Sequence, residues 1–288
     1  MTLDRKSRKS LVRADSPVGW DVSMIVLMTD FGLQDPYVGI MKGVIKRLSP
    51  ASEIIDLTHG IPPQNVSIAH FVLGHSWEHF PDGTVFVCVV DPGVGTGRRP
   101  IAIGAGGQYF VGPDNGLFGF LRDRRIEDWQ GVHLTNSDYF YQGKTAGTFD
   151  GRDIFAPVAA HIDSGTMLSE MGCPVDEIEV LPPVECLDRG NETEIPLLHI
   201  DRFGNLIFAM TRERCEAKIG GHAFSITLGP HSIERIADHY DEDLPLVALY
   251  NSYGLLEIAA PLKSAADMLG ISRDYPFVTA VLRVRPQE

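Results

Sequence analysis

No stretch of this chain approaches the roughly 20 consecutive apolar residues that a membrane-spanning helix needs. Its first residues, MTLDRKSRKSLVRADSPVGW, lack the apolar centre of a signal peptide and read as a mobile, basic tail over residues 1–22. Positive charge is scarce overall: 25 Lys and Arg stand against 38 Asp and Glu, a formal net charge of −13. Nucleic acids are held by clustered cations that release counterions, so this balance argues against a nucleic-acid partner and equally against an anionic membrane surface. Cysteine is sparse as well. Cys88, Cys173, Cys186 and Cys215 lie far apart with no CxxC pair. That is neither a disulfide framework nor a zinc-ribbon spacing, and it points to a reducing, cytoplasmic setting. Also missing are a GxSxG elbow, a GxGxxG dinucleotide loop, a convincing Cys–His pair, internal repeats and low-complexity tracts.

What is present is a patterned chain of 288 residues, long enough for two domains with real cores. SMIVLMT (23–29), SEIIDLT (52–58) and TVFVCVV (84–90) read as strands, the first and third buried on both faces. Between them, the run after Pro36 repeats apolar residues at helical spacing (Tyr37, Ile40, Met41, Val44, Ile45, Leu48), and 66–80 reads as a second helix. Strand and helix in alternation predict a mainly parallel sheet with helices on both faces. Shorter strands follow with Gly-rich turns, then a helix over 152–165. An α/β domain over 23–180 is therefore expected, followed by a Pro-rich, acidic linker over 181–195. Residues 196–288 alternate like antiparallel strands and predict a smaller, all-β, barrel-like domain.

Several residues could carry chemistry. Asp30 and Asp91 each follow an apolar strand, where open α/β sheets bind ligands, although an Asp there can equally open a turn. The glycines of DPGVGTGRR (91–99) lack the Lys-Ser/Thr ending of a phosphate loop, but they permit a tight turn that could return Arg98 to Asp91. A neighbouring Arg would keep that carboxylate ionised; a solvated Arg on a surface turn fits the spacing equally well. In TFDGRD (148–153), Asp150 and Asp153 have the spacing of a helix-capping pair, and structural capping alone accounts for them. His75, Glu78 and His79 match the HxxEH pattern of inverted zinc peptidases. His75, however, shares the stripe of Ile68, Phe71 and Val72 expected to face the core, and no third ligand is evident downstream.

Six ordered phrases go further: TDFGLQDPYVGIMKG (29–43), VVDPGVGTGRRPI (89–101), VGPDNGL (111–117), TFDGRDIFAPVAA (148–160), IDRFGN (200–205) and NSYGLLEIA (251–259). Together they resemble the S-adenosyl-L-methionine (SAM) hydroxide adenosyltransferases, relatives of the SAM-dependent fluorinase and chlorinase. The resemblance runs from about Met24 to the C-terminus. It implies an N-terminal α/β domain, a C-terminal β-barrel and a homotrimer in which SAM lies between one subunit's first domain and its neighbour's second. It implies that Asp30 meets the ribose hydroxyls, Asp201 the methionine ammonium, and Phe203 and Asn205 the adenine, with Ser252 and Glu257 completing the pocket. Tyr37, Thr148 and Phe149, in the same phrases, join the substrate-binding set. A diol and an ammonium both want carboxylate acceptors, and an adenine edge wants an amide with donor and acceptor. SAM is then the substrate, and no metal or separate cofactor is expected, because the sulfonium is already a good leaving group.

In the hydroxide-transferring branch an Asp–Arg–His set activates the water that attacks ribose C5′. Asp91 and Arg98 match the first two positions, but the third, His in TFHGRD, is Asp150 here. The halogenating relatives carry Tyr at that position and replace the Asp at the position of Asp91. Two carboxylates in a site of low dielectric would repel fluoride or chloride but not water, and a carboxylate can accept a proton. The sequence therefore predicts hydrolysis of SAM to adenosine and L-methionine, with Asp91, Arg98 and Asp150 as the catalytic set. The alternatives are a SAM or adenosine binder without turnover and a SAM-dependent halogenase.

Overall fold

The apolar run at the start forms a strand buried along its whole length, β1 (Met24–Thr29). In the computed structural model, which describes residues 23–143, 147–240, 243–272 and 278–285, the chain falls into two compact units that meet at Leu181/Pro182. The expected tail over 1–22 lies outside the described residues.

In the first unit, β1 is followed by α1 (Tyr37–Leu48), β2 (Glu53–Thr58), α2 (Val66–Ser76), β3 (Val85–Val89), β4 (Pro100–Ala105), β5 (Gln108–Pro113), α3 (Phe120–Asp123), β6 (Trp129–Leu134), α4 (Ala156–Asp163) and β7 (Gly172–Val175). One seven-stranded sheet runs in the order β2-β1-β3-β5-β4-β6-β7. The strands β2, β1, β3 and β5 pair in parallel, whereas β4, β6 and β7 join antiparallel. The sheet is thus mixed rather than mainly parallel. The physical reason is the short β4–β5 connection, in which Gly106 and Gly107 both have positive φ and make a two-residue hairpin turn.

Alternation along β1 sends its side chains to opposite faces. Ile25 and Leu27 join Met41, Val44 and Ile45 of α1 and Val158, Ala159 and Ile162 of α4. Met24, Val26 and Met28 join Ile68 and Leu73 of α2, Trp77, and a group of Phe86, Phe110, Phe118 and Phe120. Each fully buried aliphatic or aromatic side chain contributes about 1.5–3 kcal/mol of transfer free energy. The apolar stripe predicted for α1 is narrower than expected: Tyr37, Ile40 and Leu48 are exposed, at 44%, 38% and 40%.

The second unit contains β8 (Leu187–Arg189), β9 (Glu192–Ile200), β10 (Leu206–Thr211), α5 (Arg212–Ile219), β11 (Phe224–Leu228), β12 (His231–Ile233), β13 (Ile236–Ala237), β14 (Val247–Tyr250), β15 (Leu255–Ala259), α6 (Ala265–Met268) and β16 (Thr279–Val284). β8 and the start of β9 occupy positions expected to be linker; β8 is exposed throughout and only three residues long, too short to show an alternation. Eight strands follow one path, β12-β11-β16-β9-β10-β15-β14-β13, with β8 added on β9. The two ends of that path, β12 and β13, are separated in sequence by only Glu234 and Arg235. So short a connection holds the ends within about 10 Å, and the sheet curls into a nearly closed barrel. Phe208, Ile226, Leu256 and Leu282 fill it.

Candidate active site

Asp91 follows the third strand, and the loop after it folds back on itself. Val94 donates its N–H to the Asp91 carbonyl and Thr96 to that of Gly93, while Gly95 takes φ of +76°, a conformation that favours glycine. The loop brings Arg98 onto Asp91: Nε lies 3.0 and 2.9 Å from the two carboxylate oxygens, and Nη2 also donates to Oδ2. The same Nη2 donates to Oδ2 of Asp150. One guanidinium therefore bridges two carboxylates, and the side chains of Arg98, Asp91 and Asp150 are only 10%, 5% and 8% exposed. The guanidinium also sits over the Phe155 ring, 5.4 Å from its centre. Burial works against the charge on Arg98, but its bonds to Asp91 and Asp150 outweigh that penalty and raise its pKa.

The helix-capping reading of TFDGRD does not describe what forms. Asp150 has helical φ and ψ and makes no side-chain cap bond, and residues Gly151–Phe155 make a π-helical turn ahead of α4. Its carboxylate points to Arg98, and Asp153 pairs instead with Arg152, at 2.7 and 2.8 Å. A wider turn of this kind re-aims side chains at its start, a common device at functional sites.

Asp30, Asp91 and Asp150 share a cavity of about 260 Å³ with Phe31, Gln64 and Phe149. Asp30 Oδ2 accepts the backbone N–H of Gln64 at 2.7 Å. Burial raises the pKa of Asp30, and the negative charge of Asp91 adds to that rise, while the Gln64 N–H opposes it. Phe31, Tyr37 and Phe149 form an edge-to-face group with ring centres 5.2–5.9 Å apart. Thr148 lies beside them, exposed. Phe31 and Gln64 were not singled out from the sequence. The first could have been read from its place directly after Asp30, but the second comes from a loop more than 30 residues away.

The remaining candidates belong to the second unit. Asp201 closes the β9–β10 turn: its Oδ1 accepts the Asn205 N–H at 2.9 Å and its Oδ2 the Asn205 amide at 3.0 Å. Gly204 between them has φ of +89°, and a Cβ there would lie 2.1 Å from Ser264 Oγ, so only glycine fits. Phe203, at the tip, is 77% exposed. Glu257 on β15 is 3% exposed and accepts a hydrogen bond from Tyr240 at 2.9 Å. Burial raises its pKa, and the charge of Asp201 adds to the rise. Ser252 is exposed in the β14–β15 turn. Tyr240 was missed because it lies outside every quoted phrase.

The HxxEH residues do not make a metal face. α2 ends at Ser76, His79 lies in the following 3₁₀ turn, and His75 Nδ1 donates to the Phe71 carbonyl at 2.8 Å. No cluster of three His, Cys, Asp or Glu suited to a metal occurs among the described residues, and no helix there is long and apolar enough to cross a membrane.

Residues 25–172 match the SAM hydroxide adenosyltransferase N-terminal domain, and residues 196–277 match the C-terminal domain of the same name. The chain is 37% identical over 263 residues to an (R)-S-adenosyl-L-methionine hydrolase of Thermus thermophilus, a match covering 88% of this chain and 97% of that one. It is 32% identical over 265 residues to one of Methanocaldococcus jannaschii, covering 87% and 93%. A fluorinase of Actinopolyspora mzabensis is more distant, 23% identical over 283 residues, with 84% and 92% covered. The crystal structure of a conserved protein from Thermotoga maritima has a TM-score of 0.81 and 33% identity, over 91% of this chain and 100% of that one. With both domains matched in order along most of its length, the chain belongs to the SAM hydroxide adenosyltransferase family.

Proposed function

We propose that this protein hydrolyses SAM to adenosine and L-methionine. The observation that carries the proposal is the bridge of Arg98 between the buried carboxylates of Asp91 and Asp150 at one wall of the cavity. Water attacks ribose C5′ in line with the C5′–S bond, the sulfonium leaves as the neutral thioether of methionine, and the water's proton passes to a carboxylate. Asp91 and Asp150 orient and deprotonate the water. Arg98 holds both carboxylates and limits their mutual repulsion. Three carboxylates against one guanidinium leave the site negative, which suits a sulfonium substrate and disfavours a halide nucleophile. Asp30 takes the ribose hydroxyls, and Tyr37, Thr148 and Phe149 flank the nucleoside.

A cavity of about 260 Å³ falls below the roughly 300–1,000 Å³ of ordinary ligand sites. We propose that a neighbouring subunit of a homotrimer completes it with its own copies of Asp201, Phe203, Asn205, Ser252 and Glu257. Light scattering on the purified protein tests the trimer. Four free cysteines suit a reducing, cytoplasmic setting. The reaction itself calls for no metal or separate cofactor; full activity after dialysis against chelator tests this.

Incubation with SAM in oxygen-18 water, with the products separated by chromatography, tests the chemistry: the label is expected in the adenosine 5′-hydroxyl. A second reading rests on the same bridge. A carboxylate is ordinarily a weaker base than an imidazole, so a binder of SAM or adenosine without turnover would show tight nucleoside binding in calorimetry and no adenosine after hours.

A further inference from the structure

Behind Asp30 runs a buried polar chain. Thr29, the last residue of β1, is fully buried; its Oγ1 accepts the Phe31 N–H at 3.2 Å and lies 2.8 Å from His59 Nδ1. The other ring nitrogen, Nε2, stands 3.0 Å from Asp56 Oδ1, at an angle short of a full hydrogen bond. Asp56 Oδ2 accepts from Lys42 Nζ at 2.6 Å. The chain thus ties β1, α1, β2 and the turn after β2 together. Backbone bonds reinforce it: the His59 carbonyl accepts the Gly32 N–H at 2.9 Å. Farther along the same segment, Gln64 holds the strained φ of 64° that turns its N–H onto Asp30.

Asp56 orients the ring. A carboxylate only accepts, so an imidazole proton sits on Nε2, facing Asp56; with that tautomer Nδ1 accepts the Thr29 hydroxyl proton, while the Phe31 N–H donates to Thr29 Oγ1. Burial works against the charge of Asp56, but Lys42 and His59 outweigh it and hold its pKa below the ordinary value. The order carboxylate, imidazole, hydroxyl is that of a nucleophilic triad. Thr29 at 0% and His59 at 6% exposure cannot reach a substrate, so nucleophilic catalysis is ruled out and a positioning role remains.

We propose that His59 is a positioning residue that fixes, through Thr29 and Gly32, the turn aiming Asp30 at the substrate, with Asp56 and Lys42 fixing His59. The proposal rests on the reading of Asp30 as the ribose-binding carboxylate. It is tested by measuring KM and kcat for SAM in the full-length protein and its variants His59→Ala, Asp30→Ala and the double variant. His59→Ala is expected to raise KM about tenfold with kcat within about twofold, because a small misplacement of a binding group is costly. Asp30→Ala raises KM at least as much, and adding His59→Ala to it raises KM no further. Thr29→Val, which keeps the shape and removes the hydroxyl, gives the same rise and stands in where His59→Ala fails to fold. His59→Asn, which retains a polar partner for Thr29, recovers most of the loss. Asp163→Asn, in a hydrogen-bonded cluster away from Asp30, lowers stability and leaves KM unmoved. An unchanged KM in both His59→Ala and Thr29→Val overturns the proposal, as does an equal rise with and without Asp30. An Asp30→Ala variant with unchanged KM overturns the ribose reading itself.

Discussion

Arg98 and Asp150 lie 52 residues apart in sequence, yet their side chains meet in a hydrogen bond beside Asp91. That contact turns two separate charged motifs into one site. It also makes each member of the set separately testable.

Removing Asp91 strikes the carboxylate that holds the guanidinium through two of its nitrogens. General base catalysis contributes about 10²–10⁴-fold, so Asp91→Ala is expected to lower kcat at least about 100-fold. Adenosine formation followed by chromatography measures it, and undiminished turnover would sink the assigned mechanism.

Asp150→Asn keeps the shape and removes the charge. We expect a fall in kcat with KM changed little, since the role proposed for the group is on water rather than on the nucleoside. Asp150→His replaces the carboxylate with another proton acceptor, and it is expected to retain activity. A large gain in turnover from Asp150→His would instead favour the binder reading for the natural chain.

Arg98→Ala leaves two buried carboxylates facing each other without a counter-charge. Breaking a buried charge network from one side costs about 3–5 kcal/mol, and a loss near the lower figure is expected here at neutral pH. Arg98→Lys keeps the charge but not the fork that reaches both partners, so it should restore only part of the stability. Urea denaturation at pH 7 separates the three proteins.

The raised pKa of Asp30 has a definite sign for stability. The folded protein holds that proton more tightly than the unfolded chain, so its stabilising contribution is full below the unfolded value of about 3.8 and is lost as pH rises through the folded value. Above the folded value the ionised carboxylate is therefore a net cost to stability, which fits the ribose-binding role proposed for it. Asp30→Asn is expected to be more stable than the wild type at pH 7, with the gap closing near pH 3.8. Its kcat/KM for SAM should fall. Denaturation curves at the two pH values decide the matter.

Asp163, the last residue of α4, gathers hydroxyls from three places: Ser23 at 2.5 Å, Ser49 at 2.9 Å, and Ser52. Asp163→Ala removes the acceptor these hydroxyls share and leaves them only one another, and an unsatisfied buried group costs about 1–3 kcal/mol. A loss of about 1–3 kcal/mol in urea denaturation is expected, with kcat unaffected because the cluster lies at the opposite end of β1 from Asp30.

The sequence by itself determined the strands β1, β2 and β3, the helices between them and the antiparallel character of the second unit, because these follow from the period of apolar residues. It offered Asp91 and Arg98 as a pair, but a solvated Arg on a surface turn fits the same spacing, and the fold joined them. Only the tertiary structure decided what Asp150 does. A helix cap and a cavity wall use the same residue types at the same spacing, and the choice between them is made by a hydrogen bond from Arg98, 52 residues away. The antiparallel edge of the first sheet, the Gln64 N–H on Asp30 and the His59 chain behind it were settled there too. All three are contacts between distant segments, and local periodicity carries no information about which distant segment will supply the partner.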